Sequence, residues 1–336
     1  MKGEESVMTS IRDVAKKANV GSTTVSRVLN NNGYVSPETR RKIEEAMKEL
    51  NYTPNELARN LFHKKTGTIA VLVPTVSHPF FAEFVNNIEV ALYEKGYKTM
   101  LCTTAKEGNA ELEYLDMLNR HIVDGVISGV HSLDIEEYQK IKKPIVALDR
   151  YLGEDIPVVA VDHVLGGRMA ADELARNGCK KVLQFRGSLA VESPYHDRHR
   201  EFEKVMKEKN IEVFSYELEW NRFDNEYIEN VIRDVFSKNI LFDGVFGVDL
   251  FAIGYMNAAR IRGIRVPEDL RIVSYDGTYV TRIVEPKMTS VVQPIEELAR
   301  ESVRLVDRLI NGSAYQDKKL VLEVKLQKGG TTFHCS

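Results

Sequence analysis

Two kinds of hydrophobic pattern divide the chain. Up to about Thr66 the apolar residues recur at helical spacing. Ile11–Ala18 turns Val14, Ala15 and Ala18 to one side and has Thr9 or Ser10 as its N-cap. Ser22–Asn30 turns Val25, Val28 and Leu29 inward. A third helix opens at Ser36, Pro37 and Glu38 and runs to about Leu50. Those three residues supply a cap, a proline suited to the first helical position, and an acid at the positive end of the helix dipole. A short fourth segment, Asn55–Lys64, follows Pro54. The pattern predicts an all-α head.

From Gly67 onward, short apolar β-branched runs alternate with helical patterns. Strands are predicted at Thr68–Pro74, Lys98–Thr103, Gly125–Ser128, Pro144–Leu148 and Val158–Val161, with helices at Phe80–Lys95 and Ala110–Asn119. A second series has strands at Lys181–Phe185, Gly244–Val248 and Leu270–Ser274, and helices at Gly166–Asn177, His199–Asn210, Asn225–Phe236 and Phe251–Arg262. Helix Ile295–Ile310 and strand Leu320–Val324 close the chain. Strands alternating with helices of this length predict parallel sheet with helices on both faces. Two such series predict two lobes with a cleft between them.

The 336 residues are 43% hydrophobic and 28% charged, the composition of an ordinary folded domain set. No apolar run is long enough for a transmembrane helix, and the N-terminal residues lack the apolar stretch of a secretory signal. Cys102, Cys179 and Cys335 are scattered, which points to a reducing compartment and away from a disulfide framework or a cysteine-rich zinc site. The net charge of −3 is unevenly spread. Residues 8–66 hold 11 Lys and Arg against 6 Asp and Glu, hence +5, whereas residues 67–336 carry −7. A basic head on an acidic body is the charge distribution of a DNA-binding module joined to something else. The chain has no nucleophile elbow, P-loop or His-Glu-x-x-His motif, so an enzyme is not expected, and neither is a metal or cofactor.

The head carries a specific resemblance. The run IRDVAKKANVGSTTVSRVLN at 11–30, followed by VSPETR at 35–40, LNYTPN at 50–55 and ARNL at 58–61, resembles the head of the LacI/GalR repressor family in order and spacing. The resemblance implies a helix-turn-helix over 8–66 whose second helix enters the major groove. Ser22, Thr23, Thr24, Ser26, Arg27 and Asn30 are then the groove-facing polar set, with Arg27 suited to a bidentate contact with guanine. Gly21 departs from the family's usual Ser or Thr at that turn position. Residues 55–64 resemble the family's hinge helix, which folds in the minor groove. Asn55 belongs to that DNA contact set, and Leu61 falls at the position of an apolar wedge between base steps. The plain alternative has Leu61 and Phe62 packing on the body.

The body resembles the family's sugar-binding core, related to periplasmic sugar-binding proteins. The likeness is carried by SHPFFAEF at 77–84, DGV at 124–126, LDR at 148–150, YDGT at 275–278 and TSVVQP at 289–294. It implies an α/β effector domain of two doubly wound parallel-sheet lobes, residues 67–162 plus 293–322 and residues 163–292 plus 323–333. Ligands in such folds bind at the carboxyl ends of strands. Sugars want carboxylates for adjacent hydroxyls and an aromatic face for the ring. Asp149, Asp249 and Asp276 each follow an apolar strand, Arg198 stands four residues before Phe202, and Trp220 is the chain's sole tryptophan. Phe80, Phe81, His78 and His131 complete the candidate effector set. The bland readings are a turn role for Asp276, a solvated cluster around Arg198, core packing for Trp220, and an Asp149–Arg150 ion pair. Val248 and Glu201 stand where the family often has Asn and Gly.

Together these features predict a cytoplasmic, nucleoid-associated repressor that binds double-stranded operator DNA as a homodimer and answers to a small sugar, with no membrane partner. Further short blocks, NGY at 32–34 and GVHSLD at 129–134 among them, look most like the sucrose-operon branch of carbohydrate-metabolism repressors. The expected effector is therefore sucrose, fructose or a phosphorylated derivative, for which Arg150, Arg186 or Arg198 would supply the extra positive charge. The alternative regulator is gated by a protein or purine corepressor, and the alternative from another class is a sugar-binding transport or sensory protein.

Overall fold

The computed structural model describes residues 9–53, 65–104, 110–130, 135–141, 143–189, 193–220, 222–313 and 318–333. The chain forms two compact units, Met1–Thr66 and Gly67–Ser336.

In the first unit, α1 (Ile11–Lys17), α2 (Ser22–Leu29) and α3 (Pro37–Glu49) start where local chemistry dictates. The Ser10 backbone N–H and hydroxyl both donate to the Asp13 carboxylate, at 2.9 and 2.7 Å. Ser36 Oγ accepts from the Thr39 N–H at 3.2 Å. At α2 the cap position is Gly21, which offers no side chain, so the turn closes through its carbonyl with the Thr24 N–H at 2.9 Å. The three helices bury Val14, Ala15, Ala18, Val25, Val28, Ile43 and Ala46 together. The expected fourth segment, with Asn55 and Leu61, lies outside the described residues.

The second unit contains two six-stranded sheets. The first is built from β1 (Thr68–Val73), β2 (Lys98–Thr103), β3 (Gly125–Ser128), β4 (Ile145–Leu148), β5 (Val158–Val161) and β11 (Lys319–Leu322), in the order β11-β5-β4-β3-β1-β2. The second is built from β6 (Lys181–Arg186), β7 (Glu212–Glu217), β8 (Gly244–Val248), β9 (Arg271–Asp276), β10 (Thr289–Val292) and β12 (Lys325–Gln327), in the order β12-β10-β9-β8-β6-β7. Every pairing is parallel except β10 with β12. The two sheets thus repeat one doubly wound order, with the sixth strand at the edge. Strand residues are buried on both faces: Ile69, Val71 and Val73 of β1 join one core, and Ala70 and Leu72 join another. That two-sided burial is why these strands read as continuous apolar runs.

The helices are α4 (Pro79–Glu94), α5 (Ala110–Asn119), α6 (Ile135–Gln139), α7 (His163–Arg176), α8 (His196–Glu208), α9 (Asn225–Ser237), α10 (Asp249–Ile261), α11 (Val280–Ile283) and α12 (Ile295–Ile310). Three begin two or three residues earlier than the pattern predicts. For α7 the cause is visible: the Asp162 carboxylate caps the helix by accepting from the Leu165 N–H at 2.8 Å. Strands β7, β10 and β12 escape the sequence pattern because β7 and β12 are edge strands with half-exposed faces and β10 is a four-residue polar-led run.

Candidate functional site

The recognition candidates separate by exposure along α2. Val25 and Val28 are buried, Leu29 is half-buried, and Ser22, Thr23 and Arg27 are exposed. Thr24, Ser26 and Asn30 are half-buried, and Asn30 Nδ2 donates to Ser26 Oγ at 3.2 Å. Val25 and Val28 hold the helix down, and the other side presents short polar groups and one guanidinium. Other basic side chains of the head are tied to acids: Lys17 meets Glu49 at 2.8 Å and Lys42 meets Glu38 at 2.8 Å.

In the body, one cavity gathers side chains from the carboxyl ends of both sheets. The first sheet contributes His78, Phe80 and Phe81 after β1 and Asp149 and Arg150 after β4. The second contributes Ser188 after β6, Trp220 after β7, Val248 at the end of β8, Asp276 at the end of β9 and Gln293 after β10. Arg198 and His199 enter from α8. This is the place where a doubly wound sheet binds ligands. Of the effector candidates, the structure brings His78, Phe80, Phe81, Asp149, Arg198, Trp220 and Asp276 together. His131 lies outside the described residues.

Asp249 is a correction. It does not line the cavity, because its carboxylate accepts from the Gly277 N–H at 3.3 Å and from the Thr278 N–H and hydroxyl at 2.8 and 2.7 Å. It shapes the turn that carries Asp276. Asp276 in turn accepts from Gln293 Nε2 at 2.8 Å. Asp149 and Asp276 occupy left-handed backbone, φ 48° and 102°, a strained conformation that concentrates at functional sites.

The charges are tuned by burial and by each other. Asp149 would be raised by burial, but His163, Arg150 and Arg198 outweigh this and hold it below its usual range. His163 is the positioning group: its Nε2 lies 3.0 Å from Asp149 Oδ1 and its Nδ1 lies 3.0 Å from the Tyr275 hydroxyl, so a bonded chain joins the end of β4 to β9. Burial, and then the Asp249 charge, push Asp276 well above the carboxylate range. Burial also lowers His78 to about 4, so this imidazole is neutral at pH 7. Several buried polar atoms of the cavity have no protein partner among the described residues: both His78 ring nitrogens, Arg150 Nε, Trp220 Nε1 and Gln293 Oε1. Buried polar groups are nearly always bonded, so these atoms await water or a ligand.

Two family models match the chain: the lacI family of bacterial regulatory proteins over residues 10–55, and a periplasmic binding protein-like domain over residues 171–332. The ribose operon repressor of Halalkalibacterium halodurans is 38% identical over 97% of both chains. The sucrose operon repressor of Pediococcus pentosaceus is 38% identical over 96% of this chain and 98% of its own. The chain belongs to the LacI family. Among solved structures, the Lac repressor dimer bound to operator and the anti-inducer ONPF matches with a TM-score of 0.84 at 26% identity, over 97% of this chain and 99% of that one.

Within this LacI-family chain, sequence reasoning misses several lining residues, Gln293 and Tyr195 among them. Gln293 sits in the block 289–294 but has no motif of its own. Tyr195 carries no sequence signal, yet its ring stacks 6.3 Å from that of Trp220 at 26° between the planes. Arg150, expected either to pair with Asp149 or to supply positive charge to a phosphorylated ligand, lines the cavity, and its Nη1 donates to the Asp149 carbonyl at 2.9 Å and to Ser193 Oγ at 3.1 Å. The departure at Val248 places an aliphatic side chain on the cavity wall, so no amide acts there. Glu201 is buried and paired with Arg168 and with Lys204, so it holds α8 against α7.

Proposed function

We propose that this chain represses an operon by binding a palindromic operator as a homodimer and is released from it by a small sugar held in the cavity of its body. The observation that carries the reading is the cavity itself. It offers carboxylates, aromatic rings and unpartnered polar atoms at the carboxyl ends of two facing sheets, in a chain that also bears an exposed polar recognition helix. The groove-reading set is Ser22, Thr23, Thr24, Ser26, Arg27 and Asn30, joined by Asn55 and by Leu61 as minor-groove wedge. The effector set is His78, Phe80, Phe81, Asp149, Arg198, Trp220 and Asp276, with His131. The lobes are residues 67–162 with 293–322 and residues 163–292 with 323–333. Sugar bound between them favours a closed arrangement, and if closed subunits fit operator less well, the sugar lowers operator occupancy by population shift. A two-fold dimer prefers two-fold DNA, hence the palindrome. Such a protein works in the cytoplasm, on the nucleoid. The relatives' names put ribose beside sucrose and fructose as candidate sugars.

The test is fluorescence anisotropy with a palindromic site from upstream of the protein's own gene, with and without sucrose, fructose, ribose and their phosphates. A sugar that weakens binding at least about tenfold, roughly 1.4 kcal/mol of coupling, supports the reading. Tight operator binding that no sugar changes leaves a repressor but removes the sugar, and a protein or purine corepressor is then tested.

A further inference from the structure

Beside the cavity the two lobes meet through atoms of the chain itself. Helix α4 follows β1 and packs on β1 and β2 of the first sheet, whereas the turn after β9 belongs to the second. These two pieces lie 196 residues apart in sequence, yet Glu83 Oε1 on α4 accepts from the Tyr279 N–H at 2.7 Å. A second contact crosses in the same sense. Phe223, which follows β7 of the second sheet, stands edge-on to two rings of the first lobe, 4.9 Å from His78 and 6.1 Å from Phe81. The turn 276–279 is thereby gripped from both sides. Within its own lobe, Asp249 accepts from the Gly277 N–H and from the Thr278 N–H and hydroxyl. From the opposite lobe, Glu83 accepts from the next N–H along. The turn has little room to give: a Cβ at Gly277 would lie 2.7 Å from Val292 Cα, so its backbone presses against β10. A rigid turn passes a pull on Tyr279 to the whole lobe instead of absorbing it.

Glu83 is half-buried and Tyr279 is exposed, so water competes for this bond and its strength is modest. A modest contact is enough here. An equilibrium between two lobe arrangements shifts by whatever contact one of them makes and the other lacks. A bond from a carboxylate to a backbone N–H is also stronger than one between neutral groups. We propose that Glu83 is a latch, a positioning residue whose bond to the Tyr279 N–H forms only when the lobes are closed and so sets how often the cavity opens to solvent. Any ligand that needs the closed arrangement binds more tightly to a chain already biased towards it. The proposal concerns the chain's own opening equilibrium and does not depend on which effector the cavity takes.

Trp220, the sole tryptophan, lines the cavity, so its fluorescence in the full chain reports on that space. Acrylamide is a small neutral quencher, and the Stern–Volmer constant it gives for Trp220 measures how accessible the cavity is. Neither sugar nor operator enters the experiment, so a failed effector reading leaves its outcome untouched. Glu83→Ala should raise the constant at least about twofold, with the wild-type circular dichroism spectrum. Glu83→Gln, whose amide oxygen can accept from the same N–H, should recover at least half of that rise. Tyr279→Pro removes the donor instead, at a φ of −54° that proline adopts, and should open the cavity as Glu83→Ala does. The double variant should open it no further than either single change, because both remove one bond. Quenching of Glu83→Ala at the wild-type level overturns the latch. So does a Glu83→Gln chain as open as Glu83→Ala, and so does a double variant in which the two effects add. Should Glu83→Ala not fold, Tyr279→Pro decides in its place, and wild-type quenching there overturns the latch.

Discussion

Helices α7 and α8 touch through backbone at Gly167, and that contact permits a sharp test. A Cβ at Gly167 would lie 2.1 Å from the Arg198 carbonyl oxygen, 2.8 Å from its carbon and 2.9 Å from its Cα. None of these atoms belongs to a side chain that can rotate away. Ordinary contact begins at 3.4 Å, so Gly167→Ala forces the two helices apart by roughly 1 Å or more. Alanine in a helix interior gains about 1 kcal/mol of propensity over glycine. Overpacking that moves backbone costs about 1–3 kcal/mol and sometimes more. Here the shift involves main chain on both sides, so the upper part of that range applies and the net expectation is a loss of about 2 kcal/mol. Because α8 carries Arg198, ligand affinity measured by Trp220 fluorescence should fall as well. The assay is urea unfolding followed by circular dichroism, with the midpoint lowered and the slope unchanged. Gly178→Ala is the control: φ is 79° and nothing lies within 4 Å of its added Cβ, so it meets only backbone strain, about 1–2 kcal/mol. A Gly167→Ala protein as stable as the wild type, or one with unaltered ligand binding, would refute the close-contact argument.

Three further outcomes follow from the same geometry. Arg27→Ala should weaken specific operator binding about 10- to 100-fold in anisotropy, the value of one bidentate base contact, while its exposure keeps the effect on stability within about 0.5 kcal/mol; unchanged operator affinity would remove Arg27 from the recognition set. Ile43 is fully buried in the small core of the head, so Ile43→Ala should cost about 2–5 kcal/mol there and abolish operator binding, yet leave sugar binding by the separate body unit intact; a parallel loss of both would contradict that independence. Asp276 titrates near 4 in the unfolded chain, whereas burial and then the Asp249 charge push it up to about 8 in the folded one. The folded state thus holds a proton that the unfolded state lacks across that span. This contribution is fully present below about pH 4 and is lost as pH rises through about 8; urea midpoints should show the decline, and Asp276→Asn should flatten it.

How much of this was legible in the sequence depended on where each residue's partners sit. The alternation of strands and helices was readable because strands such as β1 and β4 are buried on both faces and so appear as unbroken apolar runs. Strand β7 was not, because its residues are half-exposed and a run such as EVFSYE differs little from a polar loop. The early starts of α7 and α8 were hidden because their first turns hold His163, His196 and Arg198, polar residues that reach the cavity or its supports instead of an apolar core.

The site divides along the same line. A residue just past a strand is recognisable as one that can reach the cleft, and this suffices to nominate Asp149, Asp249 and Asp276. Whether it does reach is decided by the donors around it. Asp249 starts a helix within reach of Gly277 and Thr278, and three hydrogen bonds from those residues occupy its oxygens. Asp276 receives Gln293 and remains on the cavity wall. Arg150 shows the converse. Next to Asp149 in sequence it reads as half of an ion pair, but Ser193, 43 residues away, helps turn its guanidinium against Tyr195 and Trp220. The orientation of Arg150 therefore depends on a contact between two strand-end loops of different sheets, and no local pattern of residues carries that information.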